Sequence, residues 1–264
     1  VDWRDANVHI LTHAMHYASS VFEGERCYDG KIFKSREHSS RLIQSGNLID
    51  FELPYSVDEI EAAKEAALES NGLTNAYVRA VAWRGAGEDM GVASARNPVH
   101  MAVACWEWGN YYGDAKMKGA KLDIAKWKRP SPETAPSQAK AAGLYMIATM
   151  SKHAAEAKGC SYAMMFDYRG YVAEATGANI FFVKDGEVHT PIADAFLNGI
   201  TRQTVIARRR VGESTEPTRC TATALGGEAA RKCAPGAFGE SFCPSHPLRP
   251  KGRYRRALAR GAHR

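Results

Sequence analysis

The sequence predicts an α+β protein with two mixed domains, followed by a basic tail that we expect to be irregular. Apolar patterns of period two, typical of strands, alternate with amphipathic segments that predict helices over the first 207 residues. A polar stretch from Tyr112 to Lys121 separates two sets of such elements. The composition then changes abruptly at Arg208. We therefore expect a small domain over residues 1–114, a linker over 115–120, a large domain over 121–207 and a tail over 208–264.

In the first domain, one helix and two strands are predicted. The helix runs from Ser56 to Asn71, because Ser56 and Glu59 form a capping box and Gly72 is placed to end it. Its apolar residues recur at helical spacing on one face, at Ile60, Ala63, Ala67 and Leu68. The strands cover residues 76–83 and 99–106, and both segments alternate with a period of two.

The second domain begins with the segment 124–127, which is followed by a proline-rich loop at 129–136. A helix is predicted over 144–158, with Gly159 as its stop. The remaining elements are a hairpin of strands 162–166 and 171–174, a strand at 180–183 that turns through Asp185-Gly186 into 187–190, and a helix at 201–207.

Charge is distributed unevenly along the chain. Residues 1–207 carry 22 basic and 25 acidic residues, a net of −3, whereas residues 208–264 carry 13 basic and 4 acidic residues, a net of +9. The tail has no Ile, Met or Trp, and its only branched aliphatic residues are Val211, Leu225, Leu248 and Leu258. So little apolar surface does not offset the entropy of ordering the segment, which predicts disorder.

Composition also bears on location and partners. No stretch approaches the roughly 20 apolar residues of a membrane span, so we expect no membrane association. The first residues do not resemble a signal peptide, and since Val1 is not Met we expect a short segment to precede it. Scattered Cys27, Cys105 and Cys160 favour free thiols and a cytoplasmic location.

Histidine and cysteine do not form a convincing metal site. His9, His13 and His16 have no acidic or cysteine partner at ligand spacing. In the tail, Cys233, Cys243 and His246 lack the usual paired spacing of zinc ligands. We expect no metal. The tail arginines lack aromatic interleaving, so nucleic-acid binding is not expected either.

Three segments carry groups suited to chemistry. The first, residues 137–145, places Lys140 among small residues, which lets a cofactor approach an amine confined in a site. The second, 170–180, places Glu174 at a strand end before a small-residue loop. The third, 197–202, is a glycine turn opening a helix at Ile200 and Thr201, which suits a phosphate. Taken alone, each segment is more often structural than functional.

Together, in this order, the three segments resemble the fold type IV, class IV aminotransferases, which depend on pyridoxal 5'-phosphate. Further segments resemble the branched-chain amino acid subgroup, and the resemblance covers residues 1–207. These segments are His13-Ala14-Met15-His16-Tyr17, Val21-Phe22-Glu23-Gly24-Glu25-Arg26-Cys27-Tyr28, Glu37-His38-Ser39-Ser40-Arg41-Leu42, Tyr77-Val78-Arg79, Trp108-Gly109-Asn110-Tyr111 and Trp127-Lys128-Arg129-Pro130-Ser131-Pro132.

The resemblance implies a role for each matched residue. Lys140 is implied as the catalytic residue that binds the cofactor covalently and moves the proton between Cα and C4′. Glu174 is implied to face the pyridine nitrogen, and Tyr145 to lie near the phenolic oxygen of the ring. The phosphate is assigned to Arg41, Ile200 and Thr201, and the substrate to Tyr17, Phe22, Tyr77, Arg79, Trp108 and Tyr111.

The implied activity exchanges an amino group between leucine, isoleucine or valine and 2-oxoglutarate, with glutamate and 2-oxo acids as the other partners. It also implies a role in branched-chain amino acid biosynthesis and a homodimer or higher homo-oligomer. Two alternatives stay open. One is another fold type IV enzyme, a D-amino acid aminotransferase or an aminodeoxychorismate lyase, against which Phe22-Glu23-Gly24 and Tyr77-Val78-Arg79 argue. The other is a non-catalytic protein whose basic tail binds RNA.

The resemblance ends where the composition changes. Family members continue the helix after Thr201 and later close the phosphate site with a Gly-Thr-Ala-Ala-Glu type loop, but Arg208-Arg209-Arg210-Val211-Gly212 follows here. We therefore expect the large domain to be incomplete and the activity of this chain to be doubtful. The arginine, alanine, glycine and proline bias suggests the hypothesis of out-of-frame translation of a GC-rich gene. A continuous coding frame, with no family-like sequence in either shifted frame, would contradict it.

Overall fold

An antiparallel five-stranded sheet forms the centre of the N-terminal half in the computed structural model. Its strands are β1 (Ser20–Phe22), β2 (Glu25–Tyr28), β3 (Lys31–Ile32), β4 (Ala76–Arg84) and β5 (Val99–Trp106). Strand β4 is central, with β5 along one edge and β1 and β2 in succession along the other. The structure describes residues 1–88, 90–107, 119–184 and 187–208, and the backbone of 215–218.

Strands β1 and β2 follow one continuous register along β4. Phe22 lies opposite Val81 and Glu25 opposite Val78, and between them the backbone N–H of Glu23 donates to the carbonyl of Ala80 (2.8 Å). Side chains alternate between the two faces of a strand. The register therefore puts the side chains at positions 21, 23, 25 and 27 on one face, and all four are buried. Two carboxylates thus lie on the core face of the sheet.

Three helices accompany this sheet: α1 (His13–Tyr17), α2 (Ser35–Leu48) and α3 (Val57–Ser70). The predicted capping box of α3 is confirmed, with the Ser56 hydroxyl accepting from Glu59 N–H and the Glu59 carboxylate accepting from Ser56 N–H. Gly72 has φ +62°, as expected of a helix-ending glycine. The core of this half contains Val21, Leu42, Phe51, Leu53 and Ile60.

The C-terminal half has two three-stranded sheets. The first joins β6 (Leu122–Ile124), β7 (Tyr162–Phe166) and β8 (Val172–Ala175), and the second joins β9 (Phe182–Lys184), β10 (Glu187–Pro191) and β11 (Thr215–Thr218). A 3₁₀ turn (Ala142–Tyr145) leads into helix α4 (Met146–Glu156), and helix α5 (Ile200–Ala207) follows β10. Within the described part of the chain, no helix is long and apolar enough to cross a membrane.

The prediction of a mixed α+β fold is confirmed, as are the hairpins of β7 with β8 and β9 with β10. Strand β6, at 122–124, is not among the predicted strands; it pairs in parallel with β7 as far as Ile124, which lies opposite Met164. Helix α4 begins two residues later than predicted because a 3₁₀ turn precedes it. Strand β9 lies at 182–184 rather than 180–183.

The expectation of an irregular tail is wrong for residues 215–218. They form β11, which pairs in parallel with β10, because that edge of β10 is open to a further strand after β9 has paired with the other. The remainder of the tail from residue 209, the Asp185-Gly186 turn and most of the predicted linker lie outside the described residues.

Among the described residues, backbone hydrogen bonds between the two halves occur at residues 21–22 and 140–141. The N–H of Phe22 donates to the carbonyl of Lys140 (3.1 Å), and Val21 forms a β-bridge with Ala141. The N–H of Lys140 donates to Ser45 Oγ in α2 (2.9 Å). Lys140 is therefore fixed on both sides of its backbone by elements of the N-terminal half.

Candidate active site

A cavity of about 200 Å³ lies at this junction of the two halves. Every residue predicted to bind the cofactor lines it, from both halves of the chain: Arg41, Lys140, Tyr145, Glu174, Ile200 and Thr201. Gly24, His38, Arg129 and Asn179 line it as well. Residues separated by more than a hundred positions thus share one concave site, as expected of a ligand site.

Lys140 presents its amine between two aromatic rings. Its Nζ donates to the hydroxyl of Tyr145 (2.6 Å) and lies 4.6 Å from the centre of the Phe22 ring and 4.7 Å from that of Tyr145. Phe22 and Tyr145 themselves make an edge-to-face contact, with ring centres 4.7 Å apart. The amine is therefore held in a confined position, in contact with a hydroxyl that can exchange a proton with it.

Glu174, at the end of β8, is buried and paired with Arg129. Its Oε1 accepts from Arg129 Nε (2.7 Å) and lies 2.5 Å from Arg129 Nη2, while Arg129 Nη1 donates to the carbonyl of Leu144. Burial raises the pKa of the Glu174 carboxyl, and the charge of Arg129 opposes that shift. Among the described residues, Oε2 has no hydrogen-bond donor, so this oxygen remains available to a cationic donor in the cavity.

Arg41, in α2, is bound by the buried carboxylate of Glu23. Glu23 Oε1 accepts from Arg41 Nε and Oε2 from Arg41 Nη2, both at 2.7 Å, and His38 Nδ1 lies 2.6 Å from Oε2. Burial raises the pKa of Glu23, but the hydrogen bonds and charges of Arg41 and His38 outweigh it and lower the pKa to about 2. The third nitrogen, Arg41 Nη1, is buried without a hydrogen-bond partner among the described residues.

The start of α5 lies at another wall of the cavity. Gly199 precedes the helix, and a Cβ at this position would lie 2.4 Å from Asn179 Oδ1, so a larger residue would displace the Asn179 side chain. Asn179 Oδ1 in turn accepts from the backbone N–H of Arg202 (3.1 Å). The first N–H groups of a helix have no carbonyl partner within it and carry a partial positive charge. Ile200 and Thr201 therefore present an anion-binding surface to the cavity.

The residues predicted to bind substrate are only partly brought together. Arg79 Nη2 donates to the hydroxyl of Tyr77 (2.7 Å), and the Arg79 guanidinium lies 4.5 Å from the centre of the Phe22 ring. Tyr17 is 42% exposed, and its hydroxyl donates to the carbonyl of Met90 (2.7 Å). Trp108 and Tyr111 lie outside the described residues.

The sequence alone predicts no role for several cavity residues or their partners, namely Glu23, His38, Arg129 and Asn179. Arg129 and His38 belong to segments that resemble the family, but their contacts depend on distant residues. The sequence offers one signal in the spacing of two between Val21, Glu23, Glu25 and Cys27: in a strand these side chains share one face, which the structure shows to be buried. Among the described residues, no three His, Cys, Asp or Glu side chains are grouped so as to hold a metal ion.

Comparisons with known proteins identify the family. Residues 20–229 match the family model described as amino-transferase class IV, so the match extends past Ala207, where the resemblance by motif ends. The chain belongs to the class IV aminotransferases. A probable branched-chain-amino-acid aminotransferase of Rickettsia felis is 43% identical over 211 residues, which cover 78% of this chain and 70% of the relative.

Solved structures agree with this assignment. A branched-chain amino acid aminotransferase of Escherichia coli superposes with a TM-score of 0.80 at 31% identity, covering 92% of this chain and 82% of that one. An aminotransferase from Brucella abortus bound to the cofactor PLP superposes with a TM-score of 0.73 at 29% identity, covering 83% and 78%. The predicted family and fold are therefore confirmed, and with them a pyridoxal-phosphate-dependent aminotransferase that acts on small molecules.

Proposed function

We infer that the chain is a branched-chain amino acid transaminase, which moves an amino group between leucine, isoleucine or valine and 2-oxoglutarate with pyridoxal phosphate as its cofactor. The observation that carries this inference is the cavity in which the Lys140 amine touches Tyr145 and shares the space with Glu174 and Arg41. The names and structures of the relatives, at 31–43% identity, support the substrate class.

The residues of the cavity fit pyridoxal phosphate group by group. Arg41 Nη1, which is buried without a hydrogen-bond partner among the described residues, suits a phosphate, as does the start of α5. The available oxygen of Glu174 suits a protonated ring nitrogen. The Lys140 amine suits an aldehyde carbon. When bound, the cofactor supplies an electron-poor ring that takes up the electrons of the substrate Cα–H bond.

Lys140 is proposed as the catalytic residue that holds the cofactor and carries a proton between substrate Cα and the cofactor carbon. To carry a proton, the Lys140 amine must be released from the cofactor and yet stay close to it. The Tyr145 hydroxyl, 2.6 Å from the amine, can orient the amine both when it is attached to the cofactor and when it is released. Phe22 packs beside the amine and restricts the access of water. These contacts support a single position for the base throughout proton transfer.

Glu174 is proposed to keep the ring nitrogen protonated. A carboxylate favours the protonated form of a neighbouring base, and a buried carboxylate does so more strongly than an exposed one. Since burial raises the pKa of Glu174, its ionised form depends on nearby cations, and Arg129 supplies one of them. A protonated ring nitrogen beside Oε2 is the second cation in this proposal.

Substrate is proposed to bind beside Phe22, Tyr77 and Arg79. Phe22 offers an apolar wall for a branched side chain, and Arg79 at its rim offers a cation for the side-chain carboxylate of glutamate. Arg79 Nε is buried with no hydrogen-bond partner in the described part of the chain, which leaves donor capacity for such a carboxylate. Tyr17, Trp108 and Tyr111 complete the proposed substrate set by resemblance.

The decisive experiment is an absorption spectrum of the purified chain with pyridoxal phosphate, followed by borohydride reduction and an assay with L-leucine and 2-oxoglutarate. We expect a band near the visible edge, an adduct on Lys140, and activity with L-leucine above that with D-alanine. A chain that prefers D-alanine is a different fold type IV enzyme. Salt-dependent RNA binding, lost on deleting residues 208–264, together with no adduct would favour the non-catalytic alternative.

Further properties belong to the same proposal. We propose a homo-oligomer, a cytoplasmic location supported by the free Cys27, Cys105 and Cys160, and a division into domains at residues 115–120. We also propose that residues 208–264 do not restore the family's phosphate loop, so that cofactor binding is weak. Replacing them with a family-like sequence should then tighten cofactor binding, and equal affinity before and after replacement would contradict this.

A further inference from the structure

Glu23 is a buried charge that the reaction itself does not use. Its side chain is fully buried on the core face of the strand formed by β1 and β2, where an apolar residue would be expected. An ionised carboxylate in such a place is costly unless it is paired and hydrogen-bonded. Its partners are Arg41 and His38, both of which line the cavity. The charge therefore acts on the site through its partners.

The pairing leaves one defined part of Arg41 unused. Glu23 accepts from Nε and Nη2, which is the side-on, two-bond geometry that suits a planar guanidinium. The remaining nitrogen, Nη1, is buried and has no partner among the described residues. A guanidinium held by two hydrogen bonds to one carboxylate cannot turn about the torsions of its side chain. The Glu23 carboxylate therefore fixes the direction of Arg41 Nη1.

We propose that Glu23 is a positioning residue that presets Arg41, so that Nη1 faces the phosphate of the bound cofactor. This proposal rests on the proposed function, since it takes the cavity as the cofactor site. Two facts support it. The Glu23 backbone is fixed by the register of β1 and β2 on β4, and its N–H is bonded to Ala80. His38 holds Oε2 from a second direction, which fixes the plane of the carboxylate.

The proposal predicts that removing the Glu23 charge weakens phosphate binding, whereas net charge alone would predict that it strengthens it. The negative charge of Glu23 offsets that of Arg41, so its removal would strengthen phosphate binding if net charge alone decided the affinity. The two-bond clamp instead favours positioning, because an arginine already held in its binding geometry loses less freedom when the ligand arrives. The sign of the change therefore separates the two effects.

The test compares the affinities of the full chain for pyridoxal phosphate and for pyridoxal, measured by absorbance titration. Both compounds can react with Lys140, so the ratio of the two affinities isolates the contribution of the phosphate. We expect Glu23→Gln to reduce this ratio roughly 10- to 100-fold, the range for a lost charge-assisted hydrogen bond. The same substitution should change the ratio little when Arg41 is already Gln, because Glu23 acts through Arg41.

Glu25→Gln is the matched control. Glu25 is an equally buried carboxylate on the same face of the strand, but it pairs with Lys64 of α3 (2.8 Å) instead of a cavity residue. This variant should lose stability and keep the wild-type ratio. If Glu23→Gln fails to fold, Glu23→Asp retains the charge for Arg41 and His38 but is one methylene too short for both bonds, and a reduced ratio is again expected.

An unchanged or increased ratio in Glu23→Gln, or in Glu23→Asp where the former does not fold, overturns the proposal while leaving the proposed function intact. An equal loss in the wild-type and Arg41→Gln backgrounds also overturns it, since Glu23 would then act through another group. A wild-type chain that binds neither compound contradicts the proposed function, and the positioning role falls with it.

Discussion

Replacing Glu174 by glutamine should slow transamination far more than it weakens cofactor binding. Glutamine keeps the size of the side chain and one acceptor oxygen but removes the charge beside the proposed position of the ring nitrogen. Two unit charges about 2.8 Å apart in a medium of effective dielectric constant about 20 interact by roughly 6 kcal/mol. A neutral hydrogen bond retains part of this, so we expect a loss of about 3–4 kcal/mol, or roughly 10²- to 10³-fold in turnover.

Cofactor affinity should change by less than about tenfold in the same variant, because the proposed phosphate-binding groups, Arg41 and the start of α5, line the cavity separately from Glu174. One side effect must be separated from the chemistry. Arg129 loses its charged partner, and breaking a buried pair costs about 3–5 kcal/mol of stability. Glu25→Gln is the control, since it breaks another buried pair away from the cavity and should keep near-normal turnover.

The assay is steady-state turnover of L-leucine and 2-oxoglutarate at saturating pyridoxal phosphate, alongside an absorbance titration of the cofactor and thermal unfolding of each variant. Turnover of Glu174→Gln within a few-fold of the wild-type chain would refute the role of Glu174. An equal loss of turnover in Glu25→Gln would show that instability, not the missing charge, is responsible.

Three further predictions concern single groups. Lys140→Ala should abolish the adduct fixed by borohydride, and an adduct on another lysine, detected by mass spectrometry, would overturn the assignment. Lys64→Met should lower the free energy of unfolding in urea by about 3–5 kcal/mol, because Glu25 is left buried and unpaired; a change below about 1 kcal/mol would count against this. For Glu23, whose pKa falls from 4.5 to about 2 on folding, stability present above pH 4.5 should be lost as the pH falls towards 2. The expected loss is about 3 kcal/mol, measured as the pH dependence of unfolding, and a Glu23→Gln variant with the wild-type acid slope would contradict it.

In the N-terminal half, the sequence predicts some elements closely and misses others, and the reason lies in the buried residues. Helix α3 has an apolar stripe and a capping box, so its bounds are predicted closely. Helix α2 buries His38, Ser39, Ser45 and Gly46 beside Leu42, so it has no apolar stripe for a pattern to detect. The same is true of β1 and β2, whose core face carries two carboxylates. Patterns of hydrophobicity fail where charges replace apolar residues in the interior.

For the site, the family resemblance identifies the residues that face the cavity, but not the residues that hold them. Lys140 and Glu174 can be found because they lie in short segments with recognisable neighbours. The contacts of Glu23 with Arg41 and of Arg129 with Glu174 join residues 18 and 45 positions apart. Such pairs follow from strand register and helix orientation, which a single sequence does not specify.

The register of β1 links these two kinds of residue physically. Phe22 and Glu23 are adjacent and point to opposite faces of one strand. The backbone N–H of Phe22 donates to the carbonyl of Lys140, and the Phe22 ring packs against the Lys140 amine. From Glu23, two side-chain bonds fix the guanidinium of Arg41. The separation between the proposed covalent attachment point and the proposed phosphate-binding group is thus set by a single dipeptide. Because a shift of one residue in this strand would exchange its faces, the pairing of β1 with β4 determines how Lys140 and Arg41 are placed relative to each other.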